Sequence, residues 1–316
     1  MQLSDPELKL IIIGGKGGVG KTTVAASLAL ALSKSFKTIV VSTDPAHSLA
    51  DSFAQVIGDR ITKIDATATC YAYELNAERA FKDFIAQHDA ELRLIMDTGT
   101  YFDEEDIDML MNLALPGMDE VMGLKAIIDL IEQGDYDKYI IDTAPTGHAL
   151  RLLMMPDLLD NWVKVFAKLR WKYRTVVSTF KGNYTPDAGD DLLLSLKKAV
   201  KRIESTLKNS TRCEFLPVTI PAEMAIAETQ RLVQSLRQYG IAVRRLILNQ
   251  VVMQKGTDAL LAAKYDEHRA LRQRACELFH DLELITIGLQ PTEVRGKEKL
   301  EHFSRFIFQL QCFDFA

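Results

Sequence analysis

The sequence is poor in the features that metal-held and disulfide-held scaffolds need. Its four cysteines, Cys70, Cys213, Cys276 and Cys312, are scattered and form no CxxC pair. That spacing excludes a disulfide framework and a structural zinc site, and leaves isolated, buried, inert thiols as the expectation. Six histidines show no HExxH or similar ligand spacing, so no structural metal is legible. Positive charge is in deficit: 38 Lys and Arg stand against 43 Asp and Glu, a net charge of −5. Such a balance disfavours a general nucleic-acid-binding surface and leaves room only for a local basic patch. Long apolar runs are missing as well. The run from Leu10 to Ile13 stops at Gly14 and follows Asp5 and Glu7, far short of a secretory h-region or a membrane span. A cytoplasmic location is expected, with any membrane contact transient.

What is present is ordinary globular material, 47% hydrophobic and 26% charged, which argues against a disordered, fibrous or integral-membrane chain. At 316 residues it exceeds one typical compact domain, so either one large α/β unit or a core with a subdomain is expected. Leu8 to Ile13 is a short β-branched run followed by glycines, and Thr22 to Ser33 reads as a helix rich in Ala and Leu. Thr38 to Ser42, Tyr139 to Ile141, Val243 to Leu248 and Leu284 to Ile287 are further short apolar runs ending at polar or turn residues, as buried parallel strands do. Strands alternating with helices predict an α/β fold, a doubly wound and mostly parallel sheet with ligands at the carboxyl ends of its strands.

The stretch 155–209 departs from that alternation and predicts a helical subdomain, with residues 1–154 and 210–316 forming the core. Trp162, Phe166, Leu169 and Tyr173 line one amphipathic helix, and Leu193, Leu196, Val200, Ile203 and Leu207 line a second. Gly182, Pro186 and Gly189 mark a loop between them. Whether these apolar faces bury against the core or line a groove stays open at this level, because an apolar face alone does not distinguish the two.

Residues Gly15, Gly20, Lys21 and Thr22 satisfy GxxxxGK[ST] between a predicted strand and a predicted helix. In that context the loop Gly15, Lys16, Gly17, Gly18, Val19, Gly20, with Lys21, Thr22 and Thr23, wraps phosphate oxygens in backbone N–H groups. Lys21 reaches the terminal phosphates and the Thr22 hydroxyl binds magnesium. This is the P-loop NTPase pattern. Lys16 is a further lysine inside the loop, in the string GGKGGVGKTT.

On that string the chain resembles the deviant P-loop ATPases, the class of the nitrogenase iron protein and the Min and Par ATPases. The resemblance implies a nucleotide-sandwich homodimer in which Lys16 reaches the partner's nucleotide and neutralises charge on the transferred phosphoryl group, as an arginine finger does elsewhere. STDPAHSLADSF (Ser42 to Phe53) and DTAPTGHALRLL (Asp142 to Leu153) resemble the switch segments of a narrower family. It contains the arsenical pump-driving ATPase and the guided-entry ATPase that delivers tail-anchored membrane proteins. LPGMDE (Leu115 to Glu120), LNQ (Leu248 to Gln250) and PTEVRG (Pro291 to Gly296) follow in family order. Physically, Asp142 ends a strand beside the P-loop, where a carboxylate would hold the magnesium ion. By resemblance Asp44 orients the attacking water, Asn249 contacts adenine and Pro291 begins the loop over the base. The family's eukaryotic members place an acidic nucleotide contact directly after the proline matching Pro221. Here Ala222 stands there and Glu223 comes one later, so that contact stays unassigned.

The pump ATPase is a tandem of two units with metalloid-binding cysteines. This chain supplies one unit and no cysteine at those places, and no CxxC follows its LNQ strand. The expected function is therefore hydrolysis of ATP, with Mg, coupled to opening and closing of a dimer around a hydrophobic client peptide or membrane-protein partner. Export of arsenite or another anion is one alternative, and a nucleotide-dependent membrane-surface switch is another. The run Lys164 to Arg174 carries five basic residues and no acidic one, which suits lipid headgroups or a solvated helix face. Asp103 to Asp108 reads as a solvated helix start, and Phe303, Phe306, Ile307 and Leu310 as a helix packed on the sheet.

Overall fold

The computed structural model describes residues 2–44, 48–64, 69–99, 118–143, 160–161, 163–168, 170–171, 175, 178–179 and 185–308, with backbone alone at 97–99 and 118–121. In chain order the elements are β1 (Leu10–Gly14), α1 (Lys21–Leu32), β2 (Thr38–Ser42), α2 (Ser48–Phe53), β3 (Thr62–Lys63), β4 (Cys70–Glu74), α3 (Ala77–Gln87), α4 (Asp89–Gly99), α5 (Met118–Gln133), β5 (Lys138–Asp142), α6 (Ala188–Lys208), β6 (Cys213–Thr219), α7 (Glu223–Gln238), β7 (Arg245–Val251), α8 (Ala259–Leu278), β8 (Glu283–Gly288) and α9 (Lys297–Phe308). The chain divides into two compact units. The first takes residues 1–75, 133–150 and 207–316, and the second takes 76–132 and 151–206.

The first unit is built on an eight-stranded sheet in the order β3-β4-β2-β5-β1-β6-β7-β8, parallel throughout except for β3 on β4. Side chains alternate across a strand, so each strand feeds two cores. Ile11, Ile13, Val40, Ile140, Val218, Ile247 and Ile285 join α1 and α9 in one cluster. Leu246, Leu248 and Val251 face the other way and pack with Ile226 and Val233 of α7 and Leu271 and Ala275 of α8. Helices on both faces make the sheet doubly wound, as expected. Each fully buried Leu or Ile contributes roughly 1.5–3 kcal/mol of transfer free energy. Helix α1 buries residues all round, including Val24, Ala25, Ala26, Leu28 and Ala29, because it is covered by the sheet on one side and α9 on the other. In α9, Phe303 and Ile307 are buried and Phe306 packs against the same core, while Leu310 lies outside the described residues.

Three strands go beyond the sequence reading, the two-residue β3 and two longer ones. β4 (CYAYE) alternates buried and half-buried residues. β6 carries Glu214 and Pro217, both unusual inside a sheet. Pro217 stands opposite Gly14, where β1 ends. Glu214 is fully buried, yet it accepts from Arg245 Nη1 at 2.9 and 2.8 Å, and Arg245 Nε reaches Glu283 at 2.9 Å. Cys70 and Cys213 are buried as expected, and burial pushes the Cys213 thiol up to about 12. Cys276 corrects that expectation, since it lies on the exposed side of α8.

The second unit is helical and larger than the 155–209 segment foreseen for it, because α3, α4 and most of α5 group with it. The expected face of α6 is formed: Leu193, Leu196, Val200, Ile203 and Leu207 are all buried. On the preceding helical stretch Phe166 is half-buried, and Trp162, Leu169 and Tyr173 lie outside the described residues. Val163 and Arg170 are buried there, and Trp171 is 68% exposed. The basic run is not a bare cationic face. Lys164 pairs with Asp160 at 2.6 Å, and Arg170, 3% exposed, pairs with Asp187 and, at 3.3 Å, with Asp190. Asp187 also accepts from the Gly189 N–H at 2.9 Å, so one carboxylate caps α6 and anchors Arg170. Asp103 to Asp108 lie outside the described residues.

Arg170→Ala removes a buried counter-ion from two half-exposed carboxylates and is expected to destabilise the second unit by about 2 kcal/mol. Amide hydrogen exchange should then show lost protection in α6 with the strands of the first unit unchanged.

Candidate nucleotide site

The carboxyl ends of the central strands finish at one level. Ile13 of β1 stands opposite Asp142 of β5, Asp142 opposite Ser42 of β2, and Ser42 opposite Glu74 of β4. The Thr43 N–H donates to the Asp142 carbonyl at 3.0 Å and the Thr143 N–H to that of Ile13 at 3.1 Å, which stitches the strand ends together. Parallel register therefore brings residues 13, 42, 74 and 142 to one rim, where the sheet leaves room for a ligand.

From this rim the chain turns through Gly15–Gly20 into α1. A Cβ on Gly15, whose φ is +155°, would stand 2.1 Å from the Val218 carbonyl oxygen, so the loop lies directly on β6. Gly20 occupies the N-cap of α1 in the left-handed region at φ 92° with no side-chain cap, and its own Cβ would meet Asn249 Nδ2 at 2.5 Å. The N–H groups of the first turn are thus left for a ligand, at the positive end of the helix dipole. Lys21 is 6% exposed and curls back to donate to the Lys16 carbonyl at 3.2 Å. Burial lowers its pKa, and the carboxylates of Asp142 and Asp44 act against that shift. Thr22 Oγ1 lies 3.1 Å from the hydroxyl of Ser48 at the start of α2.

Asp142 is fully buried, and among the described residues neither carboxylate oxygen makes a hydrogen bond of normal geometry, although the Thr22 and Ser42 hydroxyls lie close enough to act on it. Burial raises its pKa to about 7. The Thr22 and Ser42 hydroxyls and the Lys21 ammonium pull it down, while the Asp44 charge adds to the rise. Asp44 follows β2, with its N–H donating to Ser42 Oγ at 3.2 Å. Glu74 is 4% exposed and accepts from the Ala50 N–H at 2.9 Å, so the end of β4 fixes α2, which follows Asp44 in the chain.

Beside the loop opens a cleft of about 770 Å³ lined by Gly20, Thr23, Asn249, Gln250, Pro291 and Arg295 among others. Asn249, 4% exposed, donates Nδ2 to the Val19 carbonyl at 2.9 Å. Gln250 takes φ +60°, a conformation that costs a non-glycine residue roughly 1 kcal/mol, and donates to the Gly18 carbonyl at 3.3 Å. The next turn is held by His268, whose Nδ1 accepts the Val252 N–H at 3.0 Å. The far wall is tied back: Arg295 Nε donates to the Asp51 carbonyl at 3.1 Å and the Gly296 N–H to that of Ser52 at 2.8 Å.

The structure thus gathers Gly15 through Thr23, Asp44, Asp142, Asn249 and Pro291 around one loop and cleft. Glu223 is elsewhere, ion-paired with Arg274 and absent from the described cleft lining. Residues 45–47, 144–153 and 115–117 of the expected signature segments lie outside the described residues. Sequence reasoning gave no part to Ser48, Glu74 or Gln250. Ser48 and Gln250 sit inside segments already singled out, and only strand register places Glu74.

A lysine folded back over a loop that opens a helix, with a carboxylate buried at the end of the adjacent strand, places the chain among the P-loop nucleotide hydrolases. The sequence profile described as anion-transporting ATPase matches residues 8–309, and the chain belongs to that family. It is similar to "ATPase ASNA1 homolog 1" of Paramecium tetraurelia, 32% identical over 97% of this chain and 94% of the relative. "ATPase get3" of Neurospora crassa is 32% identical over 96% of this chain and 92% of its own. "ATPase GET3B" of Arabidopsis thaliana is 34% identical over 97% and 80%. The chain is an ATP-hydrolysing enzyme.

Asn249→Asp would set a carboxylate against the Val19 carbonyl. It is expected to weaken ATP binding about tenfold, the cost of one lost buried donor, in an equilibrium titration. Desolvation holds the His268 pKa below its ordinary 6.5. The unfolded chain therefore takes up that proton first, so stability from this ring is complete above the unfolded value and is lost as pH falls through the folded one. Urea midpoints from pH 7.5 to 5 should fall more steeply for the wild type than for His268→Gln.

Proposed function

We propose that the chain hydrolyses ATP with Mg as a nucleotide-sandwich homodimer, and that the cycle opens and closes the dimer around a hydrophobic client such as a membrane-protein segment. Asp142 carries the catalytic part of this reading. An ionisable group held dry beside the Thr22 hydroxyl, with neither oxygen in a hydrogen bond of normal geometry among the described residues, is a donor set that suits a hard divalent cation. Thr22 and Asp142 would hold the ion, which when bound neutralises charge on the terminal phosphates.

The chain's own groups account for the rest. The loop N–H groups from Gly15 to Thr23 and the Lys21 ammonium bind and orient the triphosphate. Asp44 orients a water whose oxygen bonds to the terminal phosphorus as the bond to the bridging oxygen breaks, giving ADP and phosphate. Asn249 donates one of its two Nδ2 hydrogens to Val19, and its carbonyl oxygen is an acceptor that would match the exocyclic amine of adenine. Pro291 stands across the same cleft. Lys16, with 40% of its side chain exposed, is able to serve a nucleotide bound by a second copy.

The client belongs to the second unit. A membrane span of about 20 residues needs an apolar groove about 30 Å long. Exposed Val165, Trp171 and Leu194 supply apolar surface, the last two lining a cavity of about 400 Å³. Among the described residues no helix is long and apolar enough to cross a membrane.

Asp44→Asn is expected to lower turnover at least about 100-fold while sparing ATP binding, the scale of a lost acid–base contribution; unchanged turnover refutes the role. For the assembly, turnover should rise more than linearly with protein concentration, and a peptide with a hydrophobic C-terminal span should form a nucleotide-sensitive complex. Acceleration by arsenite with no such complex would replace the client reading with anion export. Nucleotide-controlled binding to vesicles alone would replace it with a surface switch.

A further inference from the structure

Lys16 is held at two points, and only one of them belongs to the loop. Its carbonyl accepts from Lys21 Nζ at 3.2 Å, while its own ammonium lies 4.0 Å from Glu228 Oε2 of α7, with side chains 40% and 29% exposed. Glu228 is set on a fixed support. Ile226 and Thr229 beside it are 1% exposed, Thr229 Oγ1 donates to the Ala225 carbonyl at 2.8 Å, and Ile226 and Val233 are packed into the core between α7, α8 and the sheet. A carboxylate on so rigid a helix does not follow the loop, and so it acts on where the Lys16 side chain rests.

We infer that Glu228 is a positioning residue that parks Lys16 against its own subunit, in competition with nucleotide phosphate. This rests on the reading that Lys16 serves the transferred phosphoryl group. While the pair stands, the lysine's ammonium is turned toward α7. A bound triphosphate, with several negative charges, outbids a single carboxylate, so the lysine is released when there is something for it to neutralise. Partial exposure sets the strength. The contact is a weak latch that nucleotide readily opens, unlike the buried Arg245–Glu214 pair.

The test is a cycle of Glu228→Gln, Lys16→Ala and the double variant, read by the KM for ATP, kcat and the affinity for a fluorescent ATP analogue. Glu228→Gln removes the competing charge and is expected to tighten KM and analogue affinity about two- to fivefold, the range of one part-exposed ion pair, with kcat moved less. The gain should shrink as salt is raised, and it should vanish in the Lys16→Ala background. An equal gain in that background means Glu228 acts through other groups and overturns the inference, as does a wild-type KM in Glu228→Gln. Lys16→Ala with unaltered turnover and unaltered association would instead remove the role of Lys16, and this inference with it. That outcome is told apart because it needs no change at position 228.

Discussion

Keeping an ionisable carboxylate out of water costs several kcal/mol, and the first unit is arranged around that cost at Asp142. Its dryness follows from strand order. β5 lies between β1 and β2, so the end of Asp142's strand is flanked by Ile13 and Ser42 at the same level. On an edge strand such as β8 the same residue would be hydrated and would titrate as an ordinary acid. The central position also sets the partners: Lys21 returns over the loop because a P-loop must follow the strand next to β5, and Asp44 comes into range because β2 is its other neighbour. The sheet is thus a device for bringing one lysine and two carboxylates together in a place where charge is poorly screened.

Much of this was legible locally. The glycine spacing and the strand-loop-helix context of residues 10–32 need no distant information, and short β-branched runs mark β1, β2, β5, β7 and β8 within three residues at either end. What escaped depends on partners far along the chain. Glu214 and Pro217 argue against a strand until Arg245 and the end of β1 are placed beside them. Glu74 looks like any acidic residue before a helix until register sets it under α2. Motifs placed Asn249 near the base, but its bond to Val19 belongs to the tertiary structure and makes it part of the loop's support.

The helical unit shows the same division. The face of α6 could be read from its period because its burial is continuous, from Leu193 to Ile203. The preceding stretch was harder, since its buried positions include Arg170, whose place is earned by two aspartates beyond a loop. Periodicity counts apolar residues and passes over a buried cation. Residues 76–132 fell within the expected core because they precede the helical run at 155–209 that marked the second unit, and only the contacts made by the helices after Asn76 group them with it.

The ties from Arg295 and Gly296 to Asp51 and Ser52 join the two ends of the cleft. The loop that begins at Pro291 lines that cleft, and α2 follows Asp44 in the chain. Because main-chain carbonyls make the joint, side-chain changes at positions 51 and 52 leave its acceptors in place. A loop late in the chain is thus fastened to a helix near its beginning by bonds that do not depend on which side chains stand at the two acceptor positions.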